Sequence, residues 1–240
     1  MTTRVRTARL ALAVLTGVVL CGAAAPARAS VLLSENFDNI GTLSGSGWAM
    51  INNSNPAGLP WIQGNPGVFG SQGGASDSYI ASSFEASNGM GNISNWLLTP
   101  EMTLGNGDTL SFYTRSEAFL PDRLEVRFSA NGASTNVGGT DTSVGDFSSL
   151  LLSINPALGA GGYPSGWTLY TITLSGLSGP TSGRFGFRYF VTDAVNNGDF
   201  IGIDTVNVNS VPEPATITLV GLGLAGVIAR RRRANAQKGA

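Results

Sequence analysis

The sequence contains no histidine, and its only cysteine, Cys21, lies near the amino terminus. Hydrolase sites of the Ser-His-Asp and Cys-His kinds need an imidazole or a thiol, so both are excluded from the rest of the chain. The common zinc sites need the same two residue types and are excluded as well. A single cysteine also rules out a disulfide within the chain.

Charged residues are scarce, at 12% of the chain, and unevenly distributed. Residues 30–210 hold fourteen acids, five arginines and no lysine, which gives this segment a net charge of −9. Residues 1–29, in contrast, carry four arginines and no acid. Because an acidic segment repels polyanions, we expect no nucleic-acid partner.

The amino-terminal pattern is typical of a secretory signal peptide at 1–29. Three arginines precede an apolar run at 10–20, and a small-x-small cleavage site follows. The predicted cleavage residues are Ala27, Ala29 and Ser30. Lipid attachment at Cys21 is the alternative, but Leu20 stands where that modification requires a small residue.

Residues 30–210 predict an all-β domain. Apolar residues recur with period two, and Gly, Asn, Asp and Pro separate the runs, which indicates antiparallel strands in a β-sandwich of the jelly-roll type. Glycine-rich loops at 52–74, 131–146 and 155–166 are expected to be exposed and mobile. The predicted strands are 31–37, 48–52, 78–84, 95–99, 109–114, 123–129, 150–154, 167–174, 184–192 and 200–208.

The carboxyl-terminal segment combines a rigid polar turn, an apolar stretch and a cationic stop. Residues 215–229 are uncharged, and four arginines follow directly. Buried guanidinium groups without partners are costly, so we expect the apolar part to lie in a bilayer and the arginines at its cytoplasmic face. Fifteen residues fall short of the usual ~20 for a transmembrane helix. The segment therefore predicts a transient anchor, followed by a cytoplasmic tail at 234–240.

This segment resembles the PEP-CTERM sorting signal over residues 211–233. The resemblance implies export by the general secretory route, a transient stay in the inner membrane, and processing by an exosortase of exopolysaccharide-producing Gram-negative bacteria. The final location would be the cell envelope, surface or extracellular matrix. An ordinary carboxyl-terminal membrane helix is the alternative. The residues that carry the resemblance are Val211, Pro212, Glu213, Pro214, Arg230, Arg231, Arg232 and Arg233.

Residues 30–210 also resemble the choice-of-anchor J domain, which is related to the cleaved-adhesin and MAM-like jelly rolls of surface proteins. The resemblance depends on short pieces in a fixed order, of which Asn95-Trp96-Leu97-Leu98-Thr99-Pro100 is the clearest. Thr205 departs from the family, which often has a second acid at that position. The other pieces are residues 34–37, 48, 110–112, 122–126, 167, 185–189 and 203–206.

Catalytic and ligand-binding candidates are few. Two of the acids Glu117, Asp122 and Glu125 could form the carboxylate pair of a glycosidase. Glu125, however, alternates with arginines on one strand face, which predicts a solvated structural role. Trp61 lies in a predicted loop and is the best candidate for stacking on a sugar, although a role in capping the sandwich is favoured. We therefore predict a protein that is not an enzyme.

The last candidate site that the sequence suggests is a calcium site. The apolar phase slips by one residue around Asp204, which predicts a β-bulge there. The family resemblance implies that the first and last strands are adjacent and that calcium binds near acids such as Glu35 and Asp204. Asp38 or Asp77 could add a ligand. The alternative is that Asp204 accepts backbone hydrogen bonds at the bulge and Glu35 pairs with an arginine.

These observations predict an exported surface or matrix protein with a structural or adhesive β-sandwich, associated with exopolysaccharide. The alternative is a carbohydrate-binding module or, with less support, a glycan-active enzyme.

Overall fold

The computed structural model describes residues 29–211 and 223–228. The chain divides into two compact units, one of which is Ser30–Val211, hereafter the body; the other combines Met1–Ala29 with Pro212–Ala240. The body contains both β-sheets and all three apolar clusters found in the described residues. We therefore expect residues 30–211 to fold without the flanking segments.

Most of the regular secondary structure of the body is strand, and the strands are numbered here β1 to β12 in chain order. A four-residue α-helix, α1 (Ala194–Asn197), precedes the last strand. Short 3-10 turns occur at Ile40–Thr42, Ser44–Ser46 and Phe84–Ser87. The strands are Ser30–Glu35, Ala49–Asn52, Ile62–Gln63, Ile80–Ser83, Ile93–Leu98, Met102–Leu104, Thr109–Ser116, Leu124–Ser129, Ser149–Ile154, Thr168–Thr173, Thr181–Val191 and Phe200–Ser210.

Two six-stranded sheets form a sandwich. The first sheet has the order β10-β7-β12-β4-β3, with β1 also paired to β12. The second has the order β2-β5-β11-β8-β9, with β6 also paired to β11. All of these pairings are antiparallel. The predicted fold class, an all-β antiparallel sandwich, is confirmed.

The main core lies between the sheets because alternate residues of each strand point inward. Along β7, Leu110 and Phe112 are fully buried and their neighbours are half-buried, as period two requires. Phe112 meets Phe187 of the opposite sheet edge to face, with ring centroids 5.0 Å apart. Edge-to-face aromatic pairs of this kind contribute about 0.5–1.5 kcal/mol beyond the area they bury.

Two of the long loops place apolar side chains against the outer faces of the sheets, whereas many of their other residues, such as those at 65–67 and 72–74, are exposed as expected. The loop before β4 places Phe69 against Tyr79 and Trp167 on the outer face of the first sheet. The loop between β8 and β9 places Phe147 against Trp96 on the outer face of the second sheet. Apolar residues spaced irregularly within these loops make the contacts, and each loop carries its own small core.

The outer face of β8 is consequently buried around Glu125, and the solvated role predicted for that residue was wrong. Glu125 Oε2 lies 2.8 Å from Arg127 Nε and 3.3 Å from Arg188 Nη1. The Arg188 guanidinium is 1% exposed and stacks over the rings of Trp96 and Phe190. Burial lowers the pKa of Arg188 to about 10, against the opposing effect of Glu125. The ion pair therefore joins β8 to β11 within the second sheet, and Arg188 also donates from Nη2 to the Asp141 carbonyl of the loop that covers them.

Strand β12 carries the predicted bulge. Its register with β7 shifts between Asp204 and Asn207. Thr205 has a φ of 52°, in the left-handed region that non-glycine residues seldom adopt. The bulge lets Ile203 and Val206 both face the core although they are three residues apart.

Candidate functional site

One end of the sandwich carries a group of exposed apolar side chains, hereafter the apolar end. Phe119 is 79% exposed and Val195 is 62% exposed, which is unusual for such residues. Exposed apolar groups scattered singly need no explanation, but a cluster indicates an interaction site. The members are Leu59, Phe84, Met90, Phe119 and Val195.

Backbone hydrogen bonds bring these residues together from four separate loops. The Leu59 N–H donates to the carbonyl of Glu85, at 2.9 Å, beside Phe84. The Phe84 N–H donates to the carbonyl of Asp199, also at 2.9 Å, and Asp199 Oδ2 accepts the Phe119 N–H at 3.0 Å. Phe84, Leu59 and Glu85 line a cleft of about 400 Å³. Asp199 therefore joins two of the loops that present the apolar side chains.

The same end is acidic. Glu85 and Asp193 are exposed beside the apolar side chains. Burial and the nearby Asp199 carboxylate raise the pKa of Glu117. Beneath them, Asp122 is fully buried, and burial raises its pKa to about 7. The apolar end therefore offers hydrophobic contact framed by carboxylates.

Asp122 and Tyr189 form a buried hydrogen-bonded pair next to the apolar end. The Tyr189 hydroxyl donates to Asp122 Oδ1 at 2.5 Å, and the Asp199 N–H donates to the same oxygen at 3.0 Å. Oδ2 of Asp122 is buried without a hydrogen-bond partner. A buried, locked carboxyl of this kind positions the loops and is unavailable as a general acid for an external substrate. The two acids proposed alongside Glu125, namely Glu117 and Asp122, therefore do not form a working catalytic pair in this geometry.

The chain enters and leaves the body at the opposite end. Ser30 of β1 is paired with Ser210 of β12, and their hydroxyl groups lie 2.7 Å apart. Strand β12 begins with Phe200, next to the apolar end, and continues for 11 residues to Ser210. At ~3.3 Å per residue the strand separates the two ends by roughly 33 Å. The apolar end is thus distal to the point at which the chain leaves the body toward the tail.

Asp204 is held by hydrogen bonds at the predicted calcium position. Its Oδ2 accepts the N–H groups of Gln72 at 2.8 Å and Gly73 at 3.3 Å, and its Oδ1 accepts the Thr205 N–H at 2.6 Å. Burial raises the pKa of Asp204, and these hydrogen bonds oppose the shift. The bulge thus turns Asp204 toward the loop at 70–74, which it anchors to the sheet.

Glu35 lies one strand away, because β1 pairs with β12 and Glu35 faces Val206. Its Oε1 accepts the Phe37 N–H at 2.7 Å, a local contact and not the predicted arginine pair. Asp38 lies beside the loop at 70–74 that Asp204 anchors, because a Cβ atom added to Gly74 would be 3.4 Å from Asp38 Oδ1. No cluster of three or more acidic side chains in the described residues is arranged to hold a metal. Asp204 has a structural role without any ion, and calcium remains a prediction.

Trp61 is not an exposed platform. The residue is 2% exposed and belongs to the main core, so a sugar ring cannot stack on it. Its indole Nε1 is buried without a hydrogen-bond partner. The capping role is therefore the better description. Trp48 and Trp96 are buried as expected, whereas Trp167 is half-buried and donates from Nε1 to the Gly70 carbonyl at 2.9 Å.

A polar cleft of about 430 Å³ lies between the loop after β2 and the loop between β8 and β9. Its walls carry side-chain amides, hydroxyls and one carboxylate. Asn53 Nδ2 donates to the Gly138 carbonyl at 2.8 Å and links the two loops, and Asn92 Nδ2, from the connection before β5, donates to Asp141 Oδ2 at 2.8 Å. The lining residues are Asn52, Asn53, Ser54, Asn55, Gly139, Thr140 and Asp141.

The predicted processing residues lie mostly outside the described part of the chain. Ala29 and Ser30 are described, and Ser30 opens β1, but Ala27 is not described. Val211 is described and donates its N–H to Asp108 Oδ1 at 2.8 Å. Pro212, Glu213, Pro214 and the arginines at 230–233 fall outside. Residues 223–228 are helical, and none of the helices in the described residues has the length and apolar character needed to cross a membrane.

Residues 210–233 match a known family, the PEP-CTERM protein-sorting motif. The chain therefore carries this sorting signal, as the sequence predicted. No curated protein matches the chain.

Solved structures resemble the body in fold. The K1 cleaved adhesin domain of Lys-gingipain from Porphyromonas gingivalis W83 is 23% identical, with a TM-score of 0.52, over 78% of this chain and 100% of that domain. The K3 domain of the same protein gives 22% identity and a TM-score of 0.52, over 77% and 100%. The body thus has the β-sandwich fold of cleaved adhesin domains, and the predicted adhesin-like architecture is confirmed.

Proposed function

We propose that this chain is an exported surface protein whose β-sandwich adheres to other surface components through its apolar end. The observation that carries the proposal is the position of that end: Leu59, Phe84 and Phe119 are exposed where β12 begins, and Ser210 ends the same strand, which is ~33 Å long. A body tethered by its tail would present this surface outward. Exposed aromatic and aliphatic groups are common at the centres of protein interfaces.

The sorting motif supports the delivery part of the proposal. The general secretory route would export the chain with cleavage before Ser30, and the tail would hold it briefly in the inner membrane. An exosortase would then process the tail and leave the body in the envelope, at the surface or in an exopolysaccharide matrix. The pairing of Ser30 with Ser210 suits this scheme, since cleavage at both ends would leave a complete sheet.

The proposal is for binding and not for catalysis. Of the acids considered as a catalytic pair, Asp122 is locked to Tyr189 and Glu125 is paired with buried Arg188. Glu117 alone is accessible, and one carboxyl does not satisfy the two-carboxylate requirement of glycoside hydrolysis.

A retention assay tests the adhesive role. Purified residues 30–211 would be incubated with cells of the native host from which the gene has been deleted, and bound protein would be measured after washing. The double variant Phe84→Ser, Phe119→Ser should lose most of the bound fraction. Leu150→Ser is the matched control, because Leu150 is 50% exposed but lies on β9, away from the apolar end. Equal retention of all three proteins, or equal loss in the control, would overturn the proposal.

Glycan binding is the second candidate, and the polar cleft favours it. Its amides and hydroxyls are of the kind that fix the orientation of polar ligands, although no aromatic platform accompanies them. Saturable binding of the host exopolysaccharide that is lost in Asn55→Ala would support this function. Asn55 is exposed, so its replacement leaves the core intact. Trp61→Ala cannot serve as the test, since it removes a core residue.

A further inference from the structure

The edges of the two sheets are protected to different degrees. An exposed strand edge presents unpaired N–H and C=O groups, and proteins usually protect such edges with short strands, charges or bulges. On the second sheet, β2 has four residues, β6 has three, and β9 is bulged where its register with β8 shifts. On the first sheet, β3 has two residues, and β1 carries Glu35 and a register shift after Val31.

Strand β10 (Thr168–Thr173) has none of these protections. It has six residues, Thr-Leu-Tyr-Thr-Ile-Thr, with no charge, proline or glycine. It pairs with β7 in an uninterrupted register from Thr168↔Thr114 to Thr173↔Thr109. Within the described residues, β10 has no strand on its other side. Its composition of β-branched and aromatic residues is typical of segments that pair with further strands.

The two faces of β10 have distinct surroundings. Tyr170 and Ile172 point to the core side and are half-buried, and the Tyr170 ring stacks on Phe112 with centroids 5.8 Å apart. Leu169, Thr171 and Thr173 point outward and are exposed. The inward residues mark the open margin of the main core, which another strand would cover.

We propose that β10 of one chain pairs antiparallel with β10 of a second copy, centred on Thr171. Residues that face each other across antiparallel strands point to the same side of the sheet. The inward residues of β10 therefore stay on the core side only if even-numbered residues pair with even-numbered ones and odd with odd. The register centred on Thr171 places Tyr170 opposite Ile172 and Leu169 opposite Thr173. Pairs of an aromatic with a β-branched residue stabilise sheets. The two first sheets would then be continuous across a two-fold axis.

A second copy fits this edge because the strand is complementary to itself. Neutral residues face neutral residues throughout, so the pairing leaves no charge without a partner. Antiparallel pairing of identical strands generates the closed two-fold symmetry of most homodimers. This interaction does not involve the apolar end, and its success or failure is independent of the proposed adhesive function.

Disulfide trapping tests the register. Residues 30–211 contain no cysteine, so Thr171→Cys introduces the only thiol of that fragment. In the proposed register the two Thr171 Cα atoms lie ~4.5–5.5 Å apart, within the range of a disulfide. Thr173→Cys is the control on the same strand face, because its copies would be separated by about 13 Å along the strands. Mild oxidation should cross-link the first variant at least tenfold faster than the second. Equal rates would overturn the register.

Sedimentation of the unmodified fragment tests the dimer itself. The wild-type fragment should sediment with a mass that rises with concentration, and Thr171→Lys should remain a monomer because it opposes two ammonium groups across the axis. Thr103→Lys, at an exposed position on β6, should behave as wild type. Circular dichroism would establish that all variants are folded. A wild-type fragment that stays monomeric at every concentration, or a Thr171→Lys variant that still dimerises, would overturn the proposal.

Discussion

The Tyr189 hydroxyl donates a 2.5 Å hydrogen bond to Asp122 Oδ1, and both residues are excluded from solvent at the base of the apolar end. Burial raises the pKa of Asp122 to about 7, from a usual value of 3.8. Ionisation of Asp122 would place a charge in this buried pair, so the stability of the loop packing at this end depends on pH.

The first prediction concerns that coupling. Between pH 4 and 7 the unfolded chain has released the Asp122 proton and the folded chain has kept it, so the free energy of unfolding falls as pH rises. This contribution is fully present below about pH 4 and lost above about pH 7, and it amounts to at most about 4 kcal/mol. Melting temperatures of residues 30–211 should therefore decrease across this window.

Asp122→Asn is the matched variant for this prediction, because it keeps the Oδ1 acceptor and cannot ionise. Its melting temperature should change less between pH 4 and 7 than that of wild type. Glu85→Gln, at an exposed position of the same end, should follow wild type. Parallel curves for wild type and Asp122→Asn would contradict the assigned pKa.

The second prediction concerns the buried ion pair of Glu125 and Arg188. Glu125→Gln would leave the Arg188 guanidinium, 1% exposed, without its carboxylate partner. Removing one partner of a buried pair destabilises a protein by about 3–5 kcal/mol. Urea unfolding should report a loss of that size, whereas Glu101→Gln, at an exposed position, should lose less than 1 kcal/mol, a change typical of surface sites. A small change for Glu125→Gln would show that solvent reaches Arg188.

The third prediction separates packing from hydrogen bonding at Trp61. Trp61→Ala should destabilise the body by about 3–5 kcal/mol, as deletion of a large aromatic from a core does. Trp61→Phe should be much milder, because the indole N–H has no partner to lose. Thermal unfolding of the two variants measures the difference. Equal losses for the two variants would contradict this prediction.

The fourth prediction concerns calcium near Glu35 and Asp204. If the ion binds there, a hundredfold excess over its dissociation constant should stabilise residues 30–211 by about 2.7 kcal/mol. Chelator should lower the melting temperature by several degrees, and Asp204→Asn should abolish the difference between the two conditions. An identical wild-type curve with and without chelator would remove calcium and leave Asp204 as the anchor of the loop at 70–74.

The fifth prediction concerns processing. The intact mass of the protein recovered from its native host should correspond to a chain that begins at Ser30 and lacks the arginines at 230–233. Protease added to spheroplasts should degrade the body, because it lies outside the inner membrane. Recovery of only the full-length tail would contradict exosortase processing.

Much of the architecture could be predicted because successive side chains of a β-strand point to opposite faces, so buried and exposed residues alternate along the sequence. Each of the ten predicted strands overlaps an observed one. The bulge at Asp204 was visible as a phase slip, since the core face must change register there. Two strands were missed, Ile62–Gln63 and Met102–Leu104, because runs of two or three residues carry no measurable period.

The loops could not be predicted in the same way. Trp61, Phe69 and Phe147 lie outside any alternating run, and nothing local distinguishes a buried loop aromatic from an exposed one. The apolar end was missed for the related reason that its members come from separate loops. The one usable signal was the presence of large apolar residues, such as Phe119, in segments that are otherwise typical of loops.

The sequence by itself determined the sorting motif, the sandwich class and the exclusion of thiol and imidazole chemistry from residues 30–211, because these depend on composition, order and local periodicity. Tertiary structure alone decided which side chains meet. It buried Trp61 and Glu125, enclosed Asp122 with Tyr189, and left Phe119 and the β10 edge exposed. The physical reason is that burial is set by long-range packing of loops on sheet faces, and no local pattern of residues encodes that packing.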